Sequence, residues 1–144
     1  MRRLPSPRAA VLVLATGCSG ALTGTWDGAC ELLDDGPEGG TIRTLAMRLF
    51  LRERGGELSG SADVEGHDYA YGLDGTRRGD AVSFRLEGTT DAGTSRAVLD
   101  FDGTLDEEAG RMAGDATWQV ELVGDTGVEG RSDPWVGTCA LEAR

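Results

Sequence analysis

The chain has no lysine and a single histidine among its 144 residues. Arginine alone supplies the 14 basic side chains, against 25 acids, for a net charge of −11. Without lysine its glycine-rich turns cannot serve as phosphate loops, which need a Lys and a strand-to-helix setting. An acid excess this large argues against nucleic acid and anionic membrane surfaces as partners, since both need basic patches. The lone histidine, His67, sits in the polar turn Glu65-Gly66-His67-Asp68 and reads as solvated. It leaves no Ser-His-Asp set to assemble. The acids Asp100, Asp102, Asp106, Glu107 and Glu108 cluster around a turn but lack the spacing of an EF-hand loop. Long apolar runs are missing too. The run Ala9 to Ala15 has seven residues, where a membrane-spanning helix needs about 20. No window of about 12 residues has a clear period near 3.6 between caps. No catalytic residues, metal ligands or cofactor are therefore expected, and the chain is not read as an enzyme.

What is present begins with Met1-Arg2-Arg3 and Arg8, a positive stretch without an acid. The apolar run follows, then the small residues Thr16 and Gly17, then Cys18. This is the layout of a secretory signal peptide. Ala15-Thr16-Gly17-Cys18 also resembles the lipobox of bacterial lipoproteins, with Ala15 where Leu or Val is usual. The resemblance covers the first 20 residues. It implies a signal peptide over 1–17, cleavage before Cys18, and acyl chains on Cys18. Several chains are needed, since one holds a protein to a membrane only marginally. The implied location is the cell envelope. Asp after the cysteine tends to retain such proteins in the inner membrane, so Ser19 resembles an outer-membrane address. Losing residues 1–17 removes three arginines and no acid, which takes the charge from −11 to −14. The remaining 127 residues fit one domain and can bury a real core. Residues 18–24 would be the lipidated cysteine and a tether. Its span from Ser19 to Gly24 is at most about 20 Å. Residues 25–144 would be the folded domain.

That domain reads as strands. Apolar residues alternate through eight sets. They are Trp26, Gly28, Cys30 and Leu32; Leu45 to Leu51; Leu58 to Val64; Tyr69, Tyr71 and Leu73; Val82, Phe84 and Leu86; Ala97, Leu99 and Phe101; Met112 to Leu122; and Trp135, Cys139 and Leu141. Gly- and Asp-rich turns separate them, and the connection from Gly124 to Pro134 is the longest. A weak repeat, apolar-x-Gly, recurs at Gly24, Gly60, Gly75, Gly88, Gly103 and Gly114. Glycine so placed marks sharp bends in coiled strands. The expected fold is all-β: a small closed antiparallel up-and-down β-barrel of about eight strands, with a two-sheet sandwich as the competing architecture.

With Cys18 assigned to lipid, Cys30 and Cys139 remain as an even pair in an exported domain, which reads as a disulfide. Both share the inward parity of the Trp and Leu of their strands. The first and last strands become neighbours only if the sheet closes, so this bond would staple the seam. Direct antiparallel pairing of the two cysteines would place Trp26 opposite Ala143.

Gly24-Thr25-Trp26, opening the first strand, resembles the Gly-x-Trp start of the calycins, which include lipocalins and avidins. Leu22 to Trp26 is similar to the avidin opening, and Gly56 to Ser61 to the avidin second hairpin. Trp118 and Asp133-Pro134-Trp135 fall roughly where avidins place later cavity tryptophans. Asp27, Gly28 and Ala62 depart from the avidin ligand residues, so the resemblance implies a barrel and not biotin. A second resemblance is to small periplasmic protease inhibitors of calycin-like shape, which also open with Gly-x-Trp.

The inward aromatics Trp26, Tyr69, Tyr71, Trp118 and Trp135 are the candidate ligand-binding residues. They either fill the barrel or line a site for a small apolar ligand. The expected function is that of a lipid-anchored, non-catalytic envelope lipoprotein binding such a ligand in the barrel. Binding an envelope protein, as an inhibitor or assembly accessory, is the alternative, and a purely structural surface role is a third. The expected partners are the membrane, through the lipid, and a small apolar ligand or an envelope protein.

Overall fold

The computed structural model describes residues 20–34, 40–90 and 93–144. Residues 1–17, expected to be a signal peptide, and Cys18 lie outside the described residues. Nine antiparallel strands follow one another: β1 (Gly24–Asp34), β2 (Thr41–Arg54), β3 (Glu57–Val64), β4 (Tyr71–Arg78), β5 (Ala81–Thr89), β6 (Ser95–Asp106), β7 (Arg111–Gly124), β8 (Gly127–Arg131) and β9 (Trp135–Ala143). From β1 to β7 each strand pairs with the next. β9 then lies between β7 and β1. Eight strands so close into a barrel, which leaves its wall without a free edge.

β8 is the ninth strand, in the stretch that reads as the longest connection. It pairs with the far end of β7 from Glu121 to Gly124, across a register shift between Leu122 and Val123. The returning chain breaks there for a local reason. Pro134 has no N–H to give to a ladder, so β8 stops and β9 starts after it. Ser132 satisfies β7 at the break. Its Oγ accepts the Val120 N–H at 3.0 Å, and its own N–H donates to the Val120 carbonyl at 2.8 Å.

Period two sets the inside and outside of the wall. Leu45, Met47, Leu49 and Leu51 are buried, while Arg48, Phe50 and Arg52 between them are exposed. Each buried leucine is worth roughly 1.5–3 kcal/mol. The inward residues form one core cluster, with Phe84 and Phe101 stacked across the β5–β6 pair at 4.7 Å. Glycine lets the strands coil around that core. A Cβ at Gly75 would lie 2.2 Å from the Ser83 carbonyl oxygen, and one at Gly114 only 2.1 Å from that of Asp102.

Cys30 and Cys139 are bonded, with Cα atoms 3.9 Å apart. They are direct partners in the β1–β9 ladder, and Trp26 faces Ala143. The bridge staples the seam.

The barrel has two unlike ends. At the base, the segment before β1 folds across the opening. Leu22 is fully buried there, and the Trp26 indole N–H donates to its carbonyl at 3.0 Å. Glu53, buried at the end of β2, clamps this segment. Its Oε1 accepts the Leu22 N–H and an Arg77 N–H, each at 3.1 Å. The Glu53 N–H donates to Thr23 Oγ1 at 3.0 Å. The other end, where β1 finishes and β4 begins, is the mouth.

Candidate functional site

Four of the five candidate aromatics gather at the mouth. Trp26 stays at the base against Leu22. Tyr71 opens β4 and is buried. Tyr69 lies just before that strand and is half-buried, packed on the core. Trp118 in β7 and Trp135 in β9 are direct cross-strand partners. Trp118 is buried and Trp135 half-buried. Gly88, the β5 partner of Tyr71, makes room for the tyrosines. A Cβ there would lie 2.9 Å from carbons of both rings.

His67 stands among these rings rather than in solvent. Gly66, at φ 84°, turns the chain back over the opening, and the His67 N–H donates to the Val64 carbonyl at 3.0 Å. The imidazole then stacks on three neighbours. Its centroid is 5.4 Å from Tyr69, 5.9 Å from Tyr71 and 6.0 Å from Trp118, at interplanar angles of 21°, 29° and 29°. His67 Nδ1 is 2.6 Å from the Tyr71 hydroxyl oxygen. Tyr71 donates to the Tyr69 hydroxyl at 3.3 Å. The direction of the Nδ1–Tyr71 hydrogen bond follows the imidazole tautomer.

Burial lowers the His67 pKa, and the positive charge of Arg43 lowers it further, against an opposing effect of Asp68. Burial, then the Tyr69 hydroxyl, raises that of Tyr71. The ring cluster is therefore uncharged at neutral pH, with a cation beside it. The Arg43 guanidinium lies 4.8 Å over the Trp135 ring, a cation–π contact. Beneath the rings the barrel is filled, with Leu32, Leu73, Leu86, Leu99 and Phe101 all buried. The site is a shallow ringed opening above a packed core.

Reading the sequence by residue type leaves out Arg43, His67 and Glu53. For two of them the signal is present: Arg43 and Glu53 continue the inward parity of Leu45 to Leu51 to both ends of β2. His67 needs the turn geometry. The acidic cluster is spread among partners. Asp100 pairs with Arg85 at 2.8 Å, Glu107 with Arg77 at 2.7 Å, and Asp102 accepts from Ser83. Among the described residues no three or more His, Cys, Asp or Glu side chains are placed to hold one metal ion. Outside the wall, a hollow of about 600 Å³ crosses the seam. It overlies Ala29, Ala140 and Ala113, neighbours across β1, β9 and β7 whose methyls leave the surface low. No protein-family model matches the chain, and no curated protein matches it.

Proposed function

We propose that the protein is a lipid-anchored, non-catalytic barrel of the cell envelope that binds a small apolar ligand at its mouth. One observation carries this reading. Tyr69, Tyr71, Trp118, Trp135 and His67 converge at one end of the barrel, where Tyr69, Trp135 and His67 are partly exposed above the buried Tyr71 and Trp118. The other end is stopped by the buried Leu22. Rings that served only as core would be covered at both ends. The anchor rests on Cys18 and its lipobox resemblance. It suits the geometry, because a tether leaving the base would hold the mouth away from the lipid.

The test uses the three indole N–H signals in an NMR titration of the full chain with N-phenyl-1-naphthylamine. Trp118 and Trp135 are expected to shift, with Trp26 as the internal control. No shift, or an equal shift of all three, ends the mouth reading. For the anchor, intact mass of protein taken from its own membranes is expected to give a chain starting at acylated Cys18. Cys18→Ser is expected to move the protein to the soluble fraction, and an unlipidated wild-type mass overturns the anchor.

A second reading, protein binding, is favoured by the outer wall below the mouth. Leu33 lies between Ile42 and Val136 in one cross-strand row. The three are 37%, 70% and 41% exposed. A photo-crosslinker at position 42 in intact cells is expected to give one discrete adduct that Leu33→Asp removes. Absence of an adduct ends this reading.

A further inference from the structure

We propose that the mouth selects a planar aromatic anion, its charge read by Arg43 and its flat shape by the near-parallel rings around His67. This rests on the mouth being a binding site, and names the class of ligand it takes. Two independent features point there.

The first is shape. Tyr69, Tyr71 and Trp118 all lie within 29° of the imidazole plane. Tyr69 and Tyr71 are tilted by 37° to each other, so the imidazole plane is the one that all three rings approach. A flat guest entering at the same tilt gains offset-stacked or edge contacts with several at once. A flexible alkyl chain gains only area, and loses rotamer freedom in doing so.

The second is charge. The ion pairs among the described residues engage seven arginines and leave Arg43 out. Its guanidinium rests exposed on the Trp135 face, and no ion pair among the described residues engages its planar fork. A carboxylate or sulfonate suits that fork through paired N–H donors. In a chain with a net charge of −11, an unpaired cation at a ringed opening is where an anion has a local reason to stop. Asp68, beside His67, and Asp34, the β1 partner of Trp135, bound the site on two sides, so an anionic group must lie against the Arg43 guanidinium itself. Burial and Arg43 lower the His67 pKa, and its neutral ring offers Nε2 as a hydrogen-bonding group for a ring hydroxyl or N–H.

The test is calorimetric titration of the full chain with isosteric probes that differ in charge: 2-naphthoate, 2-naphthalenemethanol and 2-naphthylmethylammonium. Decanoate is the non-planar anion. The naphthoate is expected to bind at least tenfold more tightly than each of the other three. Arg43→Gln is expected to remove the preference of naphthoate over the alcohol. Arg43 is exposed, so the variant is expected to fold as the wild type does. Equal binding of naphthoate and alcohol, tightest binding of the ammonium, or a preference that survives Arg43→Gln overturns the anion. Decanoate binding as well as naphthoate overturns planarity. In each of these cases the mouth still binds, and only its proposed selectivity falls. If none of the four binds, the mouth reading falls with it.

Discussion

The Cβ that residue 88 does not have holds the mouth open for its tyrosines. In Gly88→Ala the added methyl meets both rings at 2.9 Å, and Tyr71 is buried with nowhere to retreat. Overpacking of this kind costs about 1–3 kcal/mol. Urea unfolding is expected to show that loss, with the Tyr69 and Tyr71 ring signals displaced. His67 makes the same cluster sensitive to acid. Its folded pKa is depressed, by burial first and Arg43 second. Between that value and the ordinary value of about 6.5, the unfolded chain holds more protons than the folded one. Stability therefore rises with pH across this interval and is lost as pH falls through it. Amide protection factors in residues 65–70, which correct for the slower intrinsic exchange in acid, are expected to fall on acidification, and His67→Phe to abolish the change. An NMR titration of His67 at or above about 6.5 would contradict this. The sequence discloses part of the cluster. Parity alone names Tyr71, Trp118 and Trp135 as inward. It cannot say that Trp26 is at the far end, because depth along a barrel axis depends on stagger between strands. Nor can it turn His67 inward, since that requires Gly66 to reverse the chain over the opening.

Among the elements, β7 and β8 show what alternation can and cannot reveal. The eight inward sets of the sequence correspond to β1 to β7 and β9, with turns such as Arg54-Gly55-Gly56 between them. These are legible because one face of every strand is buried. β8, Gly-Val-Glu-Gly-Arg, has no buried residue to alternate with, so it leaves no pattern. Leu122 shares the inward parity of Trp118, yet it is 56% exposed. β7 has by then risen past the rim, and there is no core left to face. Glu121 holds this hairpin to the wall. Its carboxylate pairs with Arg96 of β6 at 2.7 Å and Arg131 of β8 at 3.0 Å. The Arg96 hydrogen bond is the largest cause that lowers its pKa. Glu121→Ala is expected to speed hydrogen exchange in β8 and the end of β7, leaving β1 to β5 at wild-type rates. Acidification through the carboxylate range is expected to lower the amide protection factors of the same segment, since the contribution of a depressed acid is lost as pH falls. Uniform acceleration through all strands would show that Glu121 supports the barrel and not the hairpin.

For the whole molecule the decisive contact is the seam. Cys30 and Cys139 are far apart in the chain and adjacent only after closure, so their parity carried information about topology that no single strand holds. The bridge closes a sequence separation of 109. A loop of that size is worth about 4–5 kcal/mol in the chain-entropy model. Replacing both cysteines by serine is expected to lower the unfolding free energy by up to about that amount. The β1–β9 ladder is expected to remain, because its backbone pairs run from Trp26 to Trp135 on either side of the bond. A variant that lost the barrel altogether would mean that closure depends on the bond. The same bridge decides how the molecule answers to force. A load applied between its two ends passes from Cys30 straight to Cys139 and bypasses everything between. Only the residues before Cys30 and after Cys139 can pay out, each by roughly 3.5 Å. Under tension the ringed mouth lies outside the load path, while Leu22, Trp26 and Leu141 at the base lie on it. The mouth keeps its place as the segment before Cys30 acts as a short, extensible leash.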